Sequence, residues 1–154
     1  MDDRAVGAAI VGGAADAVVV TDRNGLITLW NPGATRMFGF DATEAVGESL
    51  DIIIPDRLRE AHWDGYSRFI ATAASRYPTG HLLRVPALTR GGSTISVEFT
   101  LVAMTDDDGL VTHAVAVLRD ATEAFESARA LRLEVRELRH AADQAGDRGA
   151  HANA

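Results

Sequence analysis

The chain has 154 residues, 47% of them hydrophobic and 24% charged, which is enough for one domain with a full core plus short appendages. A formal net charge of -7 argues against nucleic acid as a direct partner. The absence of cysteine excludes disulfides, thiolate metal sites, cysteine nucleophiles and flavin–thiol photoadducts. No apolar run is long enough to span a bilayer, and the acidic start MDDRAVGAAIVGG lacks the basic region of a secretory signal, so a cytoplasmic protein without membrane contact is expected.

Residues 1–15 read as an N-terminal helical extension, with a short helix over 5–15 that packs on the domain or on a second copy. Residues 17–21 are β-branched and apolar, Asp22-Arg23-Asn24-Gly25 is a turn, and 26–30 continue as a strand, a strong hairpin signal. Asn31 caps a short helix with Pro32 in its first turn and Gly39 at its end, and Asp41 to Glu44 form a second cap and turn. Gly47 precedes an apolar patch at 50–54, after which Pro55 opens a long helix over 55–74.

In that helix Leu58, His62, Gly65, Tyr66, Phe69 and Ala73 recur at offsets of 0, 4, 7, 8, 11 and 15 and form one buried stripe, while Asp56, Arg59, Glu60 and Arg68 fall mostly on the other, wet face. His62 therefore points inward, where a neutral imidazole still carries one donor and one acceptor. Two accounts stand: a backbone carbonyl or buried water satisfies it, or its free nitrogen ligates a metal.

A loop at 76–80 leads to a strand over 82–89 and a turn at Gly91-Gly92. Residues 94–104 alternate cleanly and put Phe99 and Leu101 on the core side. Asp106 to Gly109 turn the chain into a last strand over 111–118. Five strands with helices gathered between the second and third predict an α+β domain with an antiparallel sheet over residues 16–119. Asp120 followed by Glu123 predicts the start of a long helix over 120–146, and 147–154 read as a flexible tail. Ala124, Ala128, Leu131, Val135, Leu138, Ala142 and Ala145 trace a heptad seam, serving either a homodimer or a helix folded back on its own domain.

The phrases VVVTDRNGLITLWNPGATRMFGF, EAVGESL, TRGGSTISVEF and AVLRDATE, in this order, resemble the PAS sensor family over roughly residues 10–123. The resemblance implies a five-stranded antiparallel sheet, a helical crossover around a small-molecule pocket, and a signalling helix entered through Asp120-Ala121-Thr122. The stretch His62-Trp63-Asp64-Gly65-Tyr66-Ser67-Arg68-Phe69 is similar to the long-helix segment of haem-binding PAS domains in oxygen-sensor histidine kinases, in which an arginine and an aromatic follow the histidine as Arg68 and Phe69 do here. It implies haem b with His62 as proximal iron ligand, Tyr66 and Phe69 beside it, and Phe99 and Leu101 above the gas-binding face.

In those kinases an arginine of the third strand contacts gas or a haem propionate. Counting back from Gly92 lands on Leu83, with Arg84 one residue away, and a one-residue slip reverses the facing of a strand side chain. Both are carried as candidate cofactor contacts. Gly91 replaces the usual acid of the turn, His81 is a second axial ligand or an exposed loop residue, and His113, His140 and His151 read as surface side chains.

The expected function is detection of a diatomic gas, oxygen first, or of redox state, signalled through the terminal helix to a partner protein in trans or a downstream domain. The alternative is a PAS module holding flavin, with Trp30 as an aromatic wall, or no cofactor, acting in dimerisation and protein interaction. No Ser-His-Asp spacing, paired-histidine motif, phosphate loop or carboxylate pair stands out, so an enzyme is not expected beyond incidental peroxidase or gas conversion at the same haem.

Overall fold

The structure, a computed structural model, describes residues 1–73 and 82–152, the side chains of 151 and 152 excepted. The chain divides into two compact units, Met1–Ala121 and Thr122–Ala154.

In the first unit α1 (Asp3–Gly13) is capped by Asp2, whose side chain accepts from the Arg4 N–H. The hairpin follows as β1 (Ala17–Asp22) and β2 (Ile27–Trp30). Its turn is held by the Asp22 carboxylate, which accepts from Asn24 N at 2.8 Å and Leu26 N at 3.0 Å, while Gly25 takes the left-handed φ of 78° that the turn requires. Next come α2 (Pro32–Phe38), α3 (Ala42–Ala45), two 3-10 turns (Leu50–Ile53 and Asp56–Leu58) and α4 (Arg59–Thr72). The chain closes with β3 (Leu83–Leu88), β4 (Thr94–Thr105) and β5 (Val111–Asp120). All the pairings are antiparallel and the sheet order is β2-β1-β5-β4-β3. This is the expected α+β architecture, with the helices gathered between β2 and β3.

Two element boundaries differ from the sequence reading. The long helix begins as a tighter 3-10 turn, in which Leu58 N–H bonds to Pro55 O at 2.8 Å, and α4 ends at Ala73 with φ 53°. Asp120 closes β5 opposite Val97 instead of opening the last helix, because Ala121 N–H donates to Ser96 O at 2.8 Å and carries the ladder one residue further.

The inner face of the sheet packs Ala17, Val19, Ile27, Trp30, Val97 and Leu118 against Phe38 of α2. Trp30 donates its indole N–H to Phe40 O at 2.9 Å and stacks near Phe38 at 5.5 Å, so it is a satisfied core residue. Asn31 is 2% exposed and ties three elements together. Its Oδ1 accepts from Val18 N and Ala34 N, both at 2.8 Å, and its Nδ2 donates to Val11 O at 2.9 Å and Asp16 O at 3.1 Å. Every hydrogen-bonding position of the amide is used.

The second unit is α5 (Thr122–Ala152), a single helix that includes residues 147–152 of the expected tail. Leu131, Val135 and Leu138 of the heptad seam are exposed on it. Among the described residues no helix is long and apolar enough to cross a membrane.

Candidate functional site

Of the stripe read from the sequence, Tyr66 and Phe69 are buried on α4 and His62 sits one turn before Tyr66, while Ile70 joins the buried face and Ala73, past the helix end, is exposed. Phe69, Ile70 and Tyr66 form a cluster with Val111 and Ala114 of β5, against which Trp63, Leu101 and Ala103 also pack. His62 lies at the N-terminal edge of this cluster, its ring centroid 4.7 Å from Trp63 and 6.0 Å from Tyr66. Its Nδ1 is buried and has no hydrogen-bond partner. Burial holds the imidazole pKa below its ordinary 6.5, and the Asp51 carboxylate opposes this only in part. The ring is thus neutral at neutral pH, the form that donates a lone pair to a metal.

Two neighbours of His62 anchor α4 to the β1–β2 hairpin. Trp63 donates its indole N–H to Asp51 Oδ1 at 2.8 Å, and its ring covers Gly25 so closely that a Cβ there would come within 2.2 Å of two ring carbons. The Tyr66 hydroxyl donates to Asp22 O and also bonds Thr21 Oγ1 at 2.8 Å. With the single phenol proton given to Asp22, the Thr21 hydroxyl is the donor of the second bond. Burial raises the Tyr66 pKa, the Thr21 bond lowers it in part, and the Asp22 carboxylate adds to the rise, so the phenol stays protonated as this geometry needs. Trp63, Asp51, Thr21 and Gly25 were not read from the sequence as site residues. The one signal for them was the Gly25 turn itself.

The strand register decides between the two third-strand candidates. Leu83 pairs with Phe99 and Arg84 with Glu98, without a bulge, and directly opposed residues share a face. Phe99 packs against the sheet's buried cluster, so Leu83 lies on the inner face with it. Arg84 lies on the other face, where its Nε meets Glu98 Oε1 at 2.5 Å. Of the expected contacts, the structure gathers His62, Tyr66, Phe69 and Leu101 around α4 and sets Leu83 and Phe99 on the same side of the sheet. It turns Arg84 away. Arg68 is exposed and bonds its own helix at Asp64 O, 3.3 Å away.

His113 bonds Thr112 Oγ1 at 3.1 Å, and His140 is exposed on α5. His81 and the loop at 76–80 lie outside the described residues, as does the His151 side chain. Among the described residues no group of three or more His, Asp or Glu is placed to cage a bare ion, so an iron held by His62 would bring most of its own ligands, as a porphyrin does. The residues present fit that demand: one neutral imidazole with an orphaned nitrogen, and small side chains at Ala103 and Ala114 on the facing strands.

A family model described as the PAS fold matches residues 7–121. The chain is 29% identical over 125 residues to the sensor protein FixL of Bradyrhizobium diazoefficiens, an alignment covering 81% of this chain and 24% of that protein. It is 28% identical over 104 residues to the oxygen sensor protein DosP of Escherichia coli, covering 68% of this chain and 13% of that one. The chain therefore spans a quarter or less of these relatives' lengths. Among solved structures, the PAS domain of a Colwellia psychrerythraea protein superposes with a TM-score of 0.70 at 20% identity, over 79% of this chain and 99% of that one, a likeness of fold.

Proposed function

This chain belongs to the PAS fold family, and on that footing we propose that it is a haem-binding sensor domain whose axial ligand is His62. The observation that carries the reading is the buried Nδ1 of His62, left without a hydrogen bond while the polar atoms of its neighbours Trp63 and Tyr66 are all paired. A buried polar atom without a partner costs about 1–3 kcal/mol, so a core is expected to satisfy it unless another use is made of the ring. Its likeness to a relative named as an oxygen sensor adds support and makes oxygen the first gas to titrate, with redox state as the other signal.

In this reading the chain's residues have distinct tasks. His62 supplies a neutral nitrogen, Trp63 and Tyr66 fix the helix that carries it, and Phe69, Leu83, Phe99 and Leu101 keep water out. A haem bound here supplies an iron with one position open to a diatomic ligand or to a change of redox state. A shift of α4 would reach the hairpin through Trp63 and Tyr66, and the sheet would pass it to Asp120, which leads into α5. Output then runs through α5, as a homodimer or toward a partner protein in trans.

One contact favours a second reading, a PAS module without cofactor that works through dimerisation: Phe69 and Ile70 already pack with Val111 and Ala114 across the helix–sheet gap. The absorption spectrum of protein expressed with added haem precursor separates the two. A strong Soret band that is lost or shifted in His62→Ala is expected. A parent protein with no Soret band after reconstitution with haem overturns the sensor reading.

A further inference from the structure

We propose that α5 joins a second copy of this chain as a parallel, in-register coiled coil in which Glu134 of each helix pairs with Arg139 of the partner subunit. The proposal stands whether or not His62 holds haem, since it uses no residue of the first unit. The observation that carries it is the sorting of charge to either side of the exposed seam of Leu131, Val135 and Leu138.

In the seven-residue repeat a to g, Val135 falls at an a position, between Leu131 and Leu138 at d positions. A β-branched residue at a with leucine at d is the combination that favours two parallel strands. Arg129, Arg132, Arg136 and Arg139 follow one another at intervals of three, four and three, so they form one continuous basic bank along the seam. Glu134 and Glu137 lie on the opposite bank. All six side chains are exposed.

A helix that stands alone gains from Glu and Arg three or four residues apart and loses from like charges at that spacing. At the centre of α5 the arginines neighbour one another, and Glu134 has Ala130, Leu131, Glu137 and Leu138 at those distances, with no cation among them. Among the described residues neither Glu134 nor Arg139 has an ion pair. The central charges are thus unfavourable within one helix and complementary between two. In a parallel pair the g position of one helix meets the e position five residues further along the other, which sets Glu134 against the partner's Arg139 twice by symmetry. An antiparallel pair sets e against e and brings Arg132 against the partner's Arg139. Charge chooses the orientation, while the apolar seam supplies the affinity.

The test uses the full chain, whose lack of native cysteine lets single cysteines report orientation. Ala128→Cys and Ala145→Cys, both at exposed seam positions, are each expected to form a disulfide-linked dimer alone under mild oxidation, because a parallel in-register pair sets each position beside itself. An antiparallel pair sets Ala128 beside the partner's Ala145, so linkage only in a mixture of the two variants overturns the proposal. In sedimentation equilibrium, Glu134→Arg and Arg139→Glu are each expected to weaken self-association about tenfold. Mixing these two variants is expected to restore it, since the mixed pair regains both opposite-charge contacts. Single variants that associate as tightly as the parent, or a mixture no tighter than either alone, overturn the proposal. So does a parent that stays monomeric.

Discussion

Asn31 concentrates more of this fold in one side chain than any catalytic-looking residue does. Its amide closes the start of α2 at Ala34, the start of β1 at Val18, the last turn of α1 at Val11 and the segment after α1 at Asp16. Asn31→Ala leaves two backbone donors and two carbonyls without their partner in a site that is 2% exposed, for an expected loss of about 2 kcal/mol or more. A urea midpoint that falls with unchanged slope would register it, and a midpoint equal to the parent's would show that water replaces the amide. Half of this role was legible. The cap on α2 follows from Asn31-Pro32 and the helix after it, but the bonds to Val11, Asp16 and Val18 join residues that only the tertiary fold brings near. The same holds at the site: His62 and Tyr66 were found from periodicity, whereas Thr21 lies 45 residues from Tyr66 and Asp51 lies 12 from Trp63, so no local pattern pairs them.

At the scale of elements, α4 and the β1–β2 hairpin act as one piece. The link is steric at Gly25, where Trp63 occupies the space of a side chain, and polar at Asp22, where Tyr66 bonds the carbonyl. Gly25→Ala meets two penalties together: a left-handed backbone, worth about 1–2 kcal/mol for an L residue, and displacement of the indole from Asp51. The expected result is a lower thermal midpoint accompanied by a red-shifted tryptophan emission, since Trp63 would be pushed toward water. A lowered midpoint with unchanged emission would show that backbone strain acts alone. The sequence signals for these elements were good where they were local: the Asn24-Gly25 turn, the Asn31 cap and the alternation along β4. They were weakest at β3, where composition could not choose between Leu83 and Arg84. The choice is made by pairing with β4, and the burial of Ala87 is what holds that pairing in register.

At the scale of the whole molecule, α5 forms a unit by itself and exposes Leu131, Val135 and Leu138. If this seam joins two copies, Leu131→Asp together with Leu138→Asp places charge in the interface and weakens self-association by about tenfold or more. Sedimentation equilibrium reads this directly, and association equal to the parent's would move the dimer contact off α5. The order of the sheet carries a different consequence. Its central ladder joins β1 to β5, pairing Ala17 with Leu118 and Asp22 with His113. On the ribosome the first strand must wait for the last. Until β5 leaves the exit tunnel, β1 has only β2 beside it and β4 only β3, two hairpins that each keep one strand edge unpaired. That interval lasts roughly 5–20 s at ordinary synthesis rates. Closure of the sheet therefore comes late, when β5 pairs with β1 on one side and β4 on the other.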